Sequence, residues 1–340
     1  MASKFLKSVA FVFLTALVLI PQVFAQNQKS ERPLERAILE FKAMGYGAKF
    51  AELERIATDA RKNGTLLEDG QPVLGALYYG VGHGCFCGAD SPELLEERVK
   101  NLNAWHKAFP KSPTVEILIG ELLISRAWLI RGGGYGHTVP REAMARFEAG
   151  LVAAESTFRN MSSEAKADPH WYVAMLNIAT AQGWSEERYF ALFLESIKKH
   201  PKYLPIYFNA VPYYLSQWHG SPAKQIWFIE AAALSQPAPF GDVIYARLNW
   251  AYSRLDMFEG GYADWARMKV GFEAMLKDFP DAWNTNNYGK FACMAGDHRT
   301  VLSLEAQYFK GQSLQAAWLD RPGIYERCVA LARQGVKSQP

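Results

Sequence analysis

The sequence predicts an all-α protein built from antiparallel helix hairpins, and three observations support this prediction. Apolar residues recur at steps of three and four, as in Ile244, Leu248, Ala251, Tyr252 and Leu255, which places them on one face of a helix. Several segments carry a capping side chain directly before a proline, a pairing typical of helix starts. Runs of alternating β-branched residues between hairpin turns are absent.

Start and end signals set the bounds of each predicted helix. Four starts pair a capping residue with a proline at the first helical position, namely Ser91-Pro92, Ser112-Pro113, Asp168-Pro169 and Ser221-Pro222. Prolines also mark helix ends, at Phe109-Pro110, His200-Pro201 and Phe279-Pro280. The predicted helices span 33–44, 48–63, 92–108, 113–131, 140–158, 169–182, 186–199, 202–217, 222–234, 242–257, 262–278, 284–294, 298–309 and 321–334.

Short turns separate these helices, so consecutive helices should pack antiparallel. The units 169–199 and 202–234 repeat with a period near the roughly 34 residues of tetratricopeptide repeats. The unit 242–278 is longer, so the array is irregular. Such hairpins bury their apolar faces by stacking, and the inner face of the stack is the usual binding surface. We therefore expect an irregular, tetratricopeptide-repeat-like α-α superhelix; a compact helical bundle is the alternative.

The first 25 residues have the order of a secretory signal peptide. Lys4 and Lys7 precede an uncharged apolar stretch, and a small-residue pattern ends at Ala25 before a polar segment. The apolar stretch is shorter than the about 20 residues that a membrane-spanning helix requires, so an uncleaved anchor is the less favoured alternative. We expect a signal peptide at 1–25, a flexible segment at 26–32 and a helical-repeat domain at 33–335. The mature chain should be exported to the periplasm or outside the cell, without stable membrane insertion.

The composition indicates a folded protein without a strongly charged partner. Apolar residues make up 49% and aromatic residues 14% of the 340-residue chain, which is enough for a substantial core. Loss of Lys4 and Lys7 with the signal peptide lowers the formal net charge from +3 to +1. So small a charge does not favour binding to nucleic acid. No cofactor is predicted.

Several segments of the chain match the pattern of one known family. They include Arg131-Gly132-Gly133-Gly134-Tyr135, Asp168-Pro169-His170-Trp171-Tyr172, Gln182-Gly183-Trp184, Tyr245-Ala246-Arg247, Gly271-Phe272 and Phe291-Ala292-Cys293. On these segments, most of the mature chain resembles the bacterial family catalogued as domain of unknown function 4034. The resemblance implies a helical, tetratricopeptide-like architecture and assigns no activity. At Gln217-Trp218-His219 the chain lacks the family's usual basic and small residues, so no role for a cation is expected there.

The most unusual segment lies between two predicted helices and reads Arg131-Gly132-Gly133-Gly134-Tyr135-Gly136-His137-Thr138. Consecutive glycines expose backbone N–H groups, which can cradle an anion near the start of the next helix. Alternatively, glycine permits positive φ and close packing of the loop against a helix. The Gly-Lys-Ser/Thr sequence of a nucleotide-binding P-loop is absent. The candidate ligand-binding residues of this loop are Arg131, Gly133, Gly134, Tyr135 and His137.

Three further residues are ligand-binding candidates. His170 and Trp171 follow Asp168 in the first turn of a predicted helix, where an acid, an imidazole and an aromatic ring can bind or protonate a substrate. Capping by Asp168 and packing of the rings are the alternative interpretation. Trp218 is a candidate for the inner groove, because aromatic-lined grooves suit peptides and sugars.

The cysteines allow two interpretations. His83, Cys85 and Cys87 lie within five positions, and imidazole and thiolates are good ligands for zinc or copper. In an oxidising compartment, however, four cysteines more commonly form disulfides. Cys293 and Cys328 lie on nearby predicted helices and can cross-link the last hairpin. That pairing leaves Cys85 with Cys87, in a strained and easily reduced ring.

The leading functional prediction is an exported helical-repeat binding or scaffold protein. It would recognise a peptide, an envelope protein or a small ligand through its concave face and the glycine-rich loop. No diagnostic catalytic motif occurs, so an enzyme is the less favoured interpretation. The alternatives are an enzyme whose site gathers Arg131, His137 and His170, and a metal or redox protein that uses His83, Cys85 and Cys87.

Overall fold

The computed structural model describes residues 32–82, 91–318 and 323–337, and this part of the chain is almost entirely helical. It contains sixteen α-helices and no β-strand; Leu66 and Pro72 form an isolated bridge. No helix in these ranges is long and apolar enough to cross a bilayer. The helices are α1 (Pro33–Tyr46), α2 (Phe50–Asn63), α3 (Val73–Gly82), α4 (Pro92–Ala108), α5 (Pro113–Arg131), α6 (Arg141–Arg159), α7 (Ser163–Lys166), α8 (Pro169–Gln182), α9 (Glu186–Lys199), α10 (Leu204–Ala210), α11 (Pro222–Leu234), α12 (Phe240–Ala251), α13 (Trp265–Asp278), α14 (Ala282–Met294), α15 (His298–Leu304) and α16 (Ile324–Lys337).

The predicted capping residues do cap their helices. The hydroxyls of Ser91, Ser112 and Ser221 each accept a hydrogen bond from a backbone N–H of the first turn of α4, α5 and α11. Asp168 does the same for α8 by accepting from the N–H of His170 at 2.8 Å. Because local chemistry alone specifies these starts, they were predictable from the sequence.

Consecutive helices pack as hairpins, and the hairpins stack on their neighbours. Contacts join α4 to α5, α5 to α6, α8 to α9, α11 to α12, α12 to α13 and α15 to α16. Alternate helices also contact each other, as α8 with α10 and α10 with α12. The prediction of an all-α array of helix hairpins is therefore confirmed. The closer tetratricopeptide-like arrangement stays a prediction.

The predicted helix 202–217 is wrong in its second half. Helix α10 ends at Ala210 and is followed by a 3₁₀ turn, Val211–Tyr214. Pro212 explains the break, because proline has no N–H to donate and its ring opposes the carbonyl four residues earlier. The predicted helix 298–309 is also interrupted, since α15 ends at Leu304 and passes into a π-helical turn.

Helix α3 is missing from the sequence prediction, as is the short α7. Gly75, Gly80 and Gly82 disfavour a helix, and α3 is buried on nearly all sides, so it shows no amphipathic period. Its glycines allow close packing: a Cβ at Gly80 would lie 2.6 Å from the carbonyl oxygen of Ile38 on α1. A Cβ at Gly75 would lie 2.9 Å from Pro205 on α10. Tertiary packing, not local preference, therefore forms this helix.

The loop before α3, and α3 itself, lie against helices from much later in the chain. The carbonyl oxygen of Asp69 accepts hydrogen bonds from Arg247 of α12 at 2.5 Å and from Asn284 of α14 at 3.2 Å. Asn209 of α10 donates to the hydroxyl of Tyr79 at 2.8 Å. These contacts mean that the chain's own N-terminal part covers a face shared by α10, α12 and α14. That face does not form an open groove.

The predicted pair Cys293 and Cys328 lies at disulfide distance, with Cα atoms 6.0 Å apart. Cys293 is on α14 and Cys328 on α16, so the pair cross-links two helices of the last stacked unit. The predicted signal peptide and the segment with His83, Cys85 and Cys87 lie outside the described residues.

Close packing of α12 on α13 predicts a large effect for Gly271→Ala. A Cβ at this position would lie 2.1 Å from the carbonyl oxygen of Asp242, so the two helices would have to move apart. We expect the free energy of unfolding to fall by about 3 kcal/mol, at the upper end of the usual cost of overpacking. Urea denaturation measures this change. Gly133→Ala is the control, because a Cβ there meets no atom within 4 Å; equal stability of the two variants would refute the prediction.

Candidate functional site

The glycine-rich loop follows α5 and is held by side chains of its own sequence. Nη1 of Arg131 donates to the carbonyl oxygens of Gly132 at 3.0 Å and of Gly134 at 2.9 Å. The hydroxyl of Thr138 donates to the carbonyl oxygen of Tyr135 at 2.8 Å. These hydrogen bonds give the loop a defined conformation.

The glycines of the loop do not serve close packing against a helix. Residues 132–138 are exposed, and a Cβ at Gly132 or Gly133 would meet no atom within 4 Å. The packing interpretation is therefore wrong for these two glycines. Positive φ is the constraint at Gly132, where φ is +75° and a side chain would be strained.

Arg131 joins the loop to aromatic rings of the adjoining helices. Its guanidinium lies 5.2 Å from the ring centre of Trp128 and 5.8 Å from that of Phe147. Trp128 packs edge-on against Trp218, with ring centres 5.9 Å apart. The rings of Tyr135 and His137 stack at 6.0 Å, and Tyr135 is 78% exposed. We define the loop surface as Trp128, Arg131, Tyr135, His137 and Trp218.

The loop surface offers both polar and aromatic contacts. Within the described part of the chain, Nε and Nη2 of Arg131 make no hydrogen bond, and this edge of a guanidinium matches a carboxylate. The exposed phenol ring of Tyr135 supplies a large apolar contact with a polar tip. Of the backbone N–H groups that could cradle an anion, those of Gly132, Thr138 and Val139 already donate to backbone carbonyls.

His170 lies elsewhere, in a buried polar cluster between α3, α5 and α8. Its Nε2 is 3.0 Å from Oε1 of Glu121, and its Nδ1 is 3.2 Å from the hydroxyl of Tyr203. Its ring stacks on Tyr78, with centres 3.9 Å apart. Only 2% of His170 is exposed, so this imidazole does not reach a partner at the surface.

Asp168 organises the buried polar cluster. Beyond capping α8, it accepts hydrogen bonds on Oδ2 from the hydroxyl of Tyr78 at 2.8 Å and from Nε of Arg61 at 2.7 Å. Arg61 also donates to the hydroxyl of Thr114 at 2.7 Å. Burial, reinforced by the charge of Asp168, raises the pKa of Tyr78 well above its ordinary value, so the hydroxyl remains a donor. The cluster thus ties α2, α3, α5 and α8 together.

The structure does not bring His170 together with Arg131 and His137. Glu121, the partner of His170, precedes Arg131 by ten residues on α5, which is about 15 Å along a helix axis. Trp171 is also apart from the loop surface, because its indole N–H donates to the carbonyl oxygen of Phe158 at 2.9 Å. These positions give no support to an enzyme site made of the three residues.

Metal-ligating side chains do not converge in the part of the chain that the structure describes. No group of three or more His, Cys, Asp or Glu residues there could hold a metal ion. His83, Cys85 and Cys87 lie outside that part, so a metal or redox site built on them stays a prediction.

The sequence analysis did not identify Trp128 and Phe147, whose rings contact the guanidinium of Arg131. The spacing of Trp128 and Arg131, three positions apart on one helix, was an available signal because such residues share a face. Phe147 lies on the next helix and gave no local signal. Likewise, nothing local connects Glu121 to His170.

The fold and the site define a class of protein: an all-α array of helix hairpins that presents an ordered, exposed glycine-rich loop. Comparisons of the chain with protein-family models, curated proteins and solved structures give no match. The resemblance to the family catalogued as domain of unknown function 4034 stays a prediction.

Proposed function

We propose that the protein is an exported helical-repeat binding protein that recognises a peptide or an envelope protein through the loop surface. One observation carries the proposal: Tyr135 is 78% exposed on a loop that Arg131 and Thr138 hold in place. A large aromatic side chain on an ordered loop loses little conformational entropy when it binds. Such a residue is therefore an efficient anchor for a partner.

The loop surface is favoured as the binding surface over the face shared by α10, α12 and α14. Helix α3 and the loop before it already pack against Arg247, Asn284 and Asn209 on the later helices. A partner at that face would first have to displace these buried contacts. The glycine-rich loop requires no displacement, because its residues are exposed.

The loop surface also favours a polypeptide over a small ligand. Small-molecule sites are usually concave and bury most of the ligand, whereas Tyr135 and His137 project from an exposed loop. Aromatic residues and arginine are the residue types most enriched at the centres of protein interfaces. We expect the partner to place a carboxylate against the Nε–Nη2 edge of Arg131 and an apolar side chain against Tyr135.

Site-specific photo-crosslinking in the native cells tests this proposal. With a benzophenone amino acid in place of Tyr135 in the full-length protein, we expect one discrete adduct in the exported fraction. Its yield should fall several-fold when Arg131→Ala is added, because the guanidinium orders the loop and can pair with the partner.

The matched control places the same photo-reactive residue at Leu234, which is 75% exposed at the end of α11 and outside the loop surface. No discrete adduct is expected there. Absence of an adduct at position 135, or the same adducts from both positions, would contradict the proposal.

A further inference from the structure

A cleft lies between α13 and α15, on helices other than those that carry the glycine-rich loop. Its volume is about 520 Å³, and Tyr288 of α14 contributes to its lining. This volume is within the roughly 300–1,000 Å³ typical of small-molecule sites. The cleft is therefore a candidate site independent of the loop surface.

Polar side chains line the cleft from both sides. Lys269, Glu273 and Lys277 are spaced by four residues along α13, which places them on one face of that helix. Arg299 and Ser303 have the same spacing on α15 and also line the cleft. The two walls thus bring three cations and one carboxylate to a common space.

The positive charge of Lys269 is neutralised by a carboxylate of the protein. Nζ of Lys269 lies 2.9 Å from Oδ2 of Asp297. Burial alone would raise the pKa of Asp297, but hydrogen bonds from Lys269 and Thr300 lower it to about 2. Asp297 therefore stays ionised at neutral pH and keeps Lys269 paired. Glu273 carries the remaining negative charge and accepts a hydrogen bond from the hydroxyl of Tyr288 at 3.2 Å.

The other two cations are exposed in the cleft. Lys277 and Arg299 have no ionic partner among the described residues. Together they outweigh the single charge of Glu273. We propose that the cleft binds an organic anion whose carboxylate or phosphate group is held between Lys277 and Arg299. Arginine offers a planar fork for such a group, and lysine adds a rotatable point charge.

The backbone beside the cleft is irregular in a way that suits a binding site. The π-helical turn Glu305–Phe309 carries Gln307 and Tyr308 into the lining. Lys310, which follows the turn, has a φ of +50°, rare for a residue with a side chain. π-Turns and strained residues are concentrated at functional sites. Leu304 and Tyr308 would contact the carbon skeleton of the ligand.

Calorimetric titration of the purified protein with citrate and with glycerol 2-phosphate tests this inference. We expect saturable binding of at least one probe. Tighter binding of citrate would identify the preferred acidic group as a carboxylate, and tighter binding of glycerol 2-phosphate would identify it as a phosphate. Binding should be at least tenfold weaker in the double variant Lys277→Ala, Arg299→Ala. Glu273→Gln should tighten binding several-fold, because it removes a like charge from the cleft.

The control double variant is Lys202→Ala, Arg146→Ala, which removes the same formal charge at two exposed positions outside the cleft. Its affinity for the probes should equal that of the unmodified protein. Thermal unfolding of both double variants verifies that they are folded. If neither probe binds saturably, or if both double variants bind equally well, the inference is overturned. Neither result affects the proposal for the loop surface, because the crosslinking experiment tests a different part of the molecule.

Discussion

Asp168→Ala is expected to lower the free energy of unfolding by about 4 kcal/mol, because removing one partner of a buried ion pair typically costs roughly 3–5 kcal/mol. The carboxylate is fully buried, and its loss leaves Nε of Arg61 and the hydroxyl of Tyr78 without their acceptor. The cap of α8 is lost as well. Urea denaturation followed by circular dichroism gives the change in stability.

Two variants separate the contributions of Asp168. Asp168→Asn keeps an acceptor for the cap, because the N–H of His170 donates to Oδ1. Tyr78 and Arg61 both donate to Oδ2, which becomes an NH2 group, so the acceptor for Arg61 and the charge are lost. A loss of about 3 kcal/mol, smaller than for Asp168→Ala, is therefore expected. Ser185→Ala removes an exposed cap of α9 that accepts only from the N–H of Arg188, and should cost about 1 kcal/mol. A loss for Asp168→Ala no greater than for Ser185→Ala would show that the buried polar cluster contributes nothing beyond capping.

The second large effect concerns the cross-link between α14 and α16. Replacing Cys293 and Cys328 together by alanine should lower the free energy of unfolding by about 3–4 kcal/mol in the loop-entropy account of disulfides. The two residues are separated by 35 positions, so the cross-link restricts a long segment of the unfolded chain. Replacing both cysteines avoids an unpaired thiol, and denaturation in urea measures the loss.

Reduction provides the matching control for the cross-link. The unmodified protein should lose a similar amount of stability in the presence of dithiothreitol. The double variant should lose little, because a ring between Cys85 and Cys87 would restrict very few residues. Mass spectrometry of a proteolytic digest identifies the linked peptides. A double variant as stable as the oxidised protein, or unlinked cysteines in that protein, would refute the pairing.

Features with a local physical cause were predictable from the sequence. The caps of α4, α5, α8 and α11 need only a side-chain oxygen before a proline, and each is present in the structure. The disulfide-distance pair followed from two cysteines on nearby helices. Pro212 was also a local signal, but apolar residues continue at helical spacing on both sides of it, as in Tyr207, Val211 and Tyr214, and suggested a continuous helix. This apolar pattern persists because Tyr213 and Tyr214 still point into the core after the helix has ended.

Features with a distant cause were not predictable. The sequence did not identify α3 as a helix, because α3 contains three glycines and has no polar face. Its packing depends on contacts with α1 and α10. The candidate loop was identified from its glycines. Its association with Trp218 was not predictable, because Trp218 contacts Trp128 of α5, and that contact depends on how α5 packs against the turn near residue 218. The cleft beside Lys277 and Arg299 arises from the stacking of α13, α14 and α15, which no spacing within one helix reveals.

The distant contacts of the loop before α3 also affect the order in which this chain can fold. Repeat arrays can nucleate in one unit and extend stepwise, because each unit contacts only its neighbours. Here Asp69 is joined to Arg247 and Asn284, across separations of 178 and 215 residues. The loop before α3 therefore completes its native hydrogen bonds only after α14 has been synthesised, and such distant contacts slow folding. A nascent chain with this dependence completes its native contacts only after residue 284 has become available.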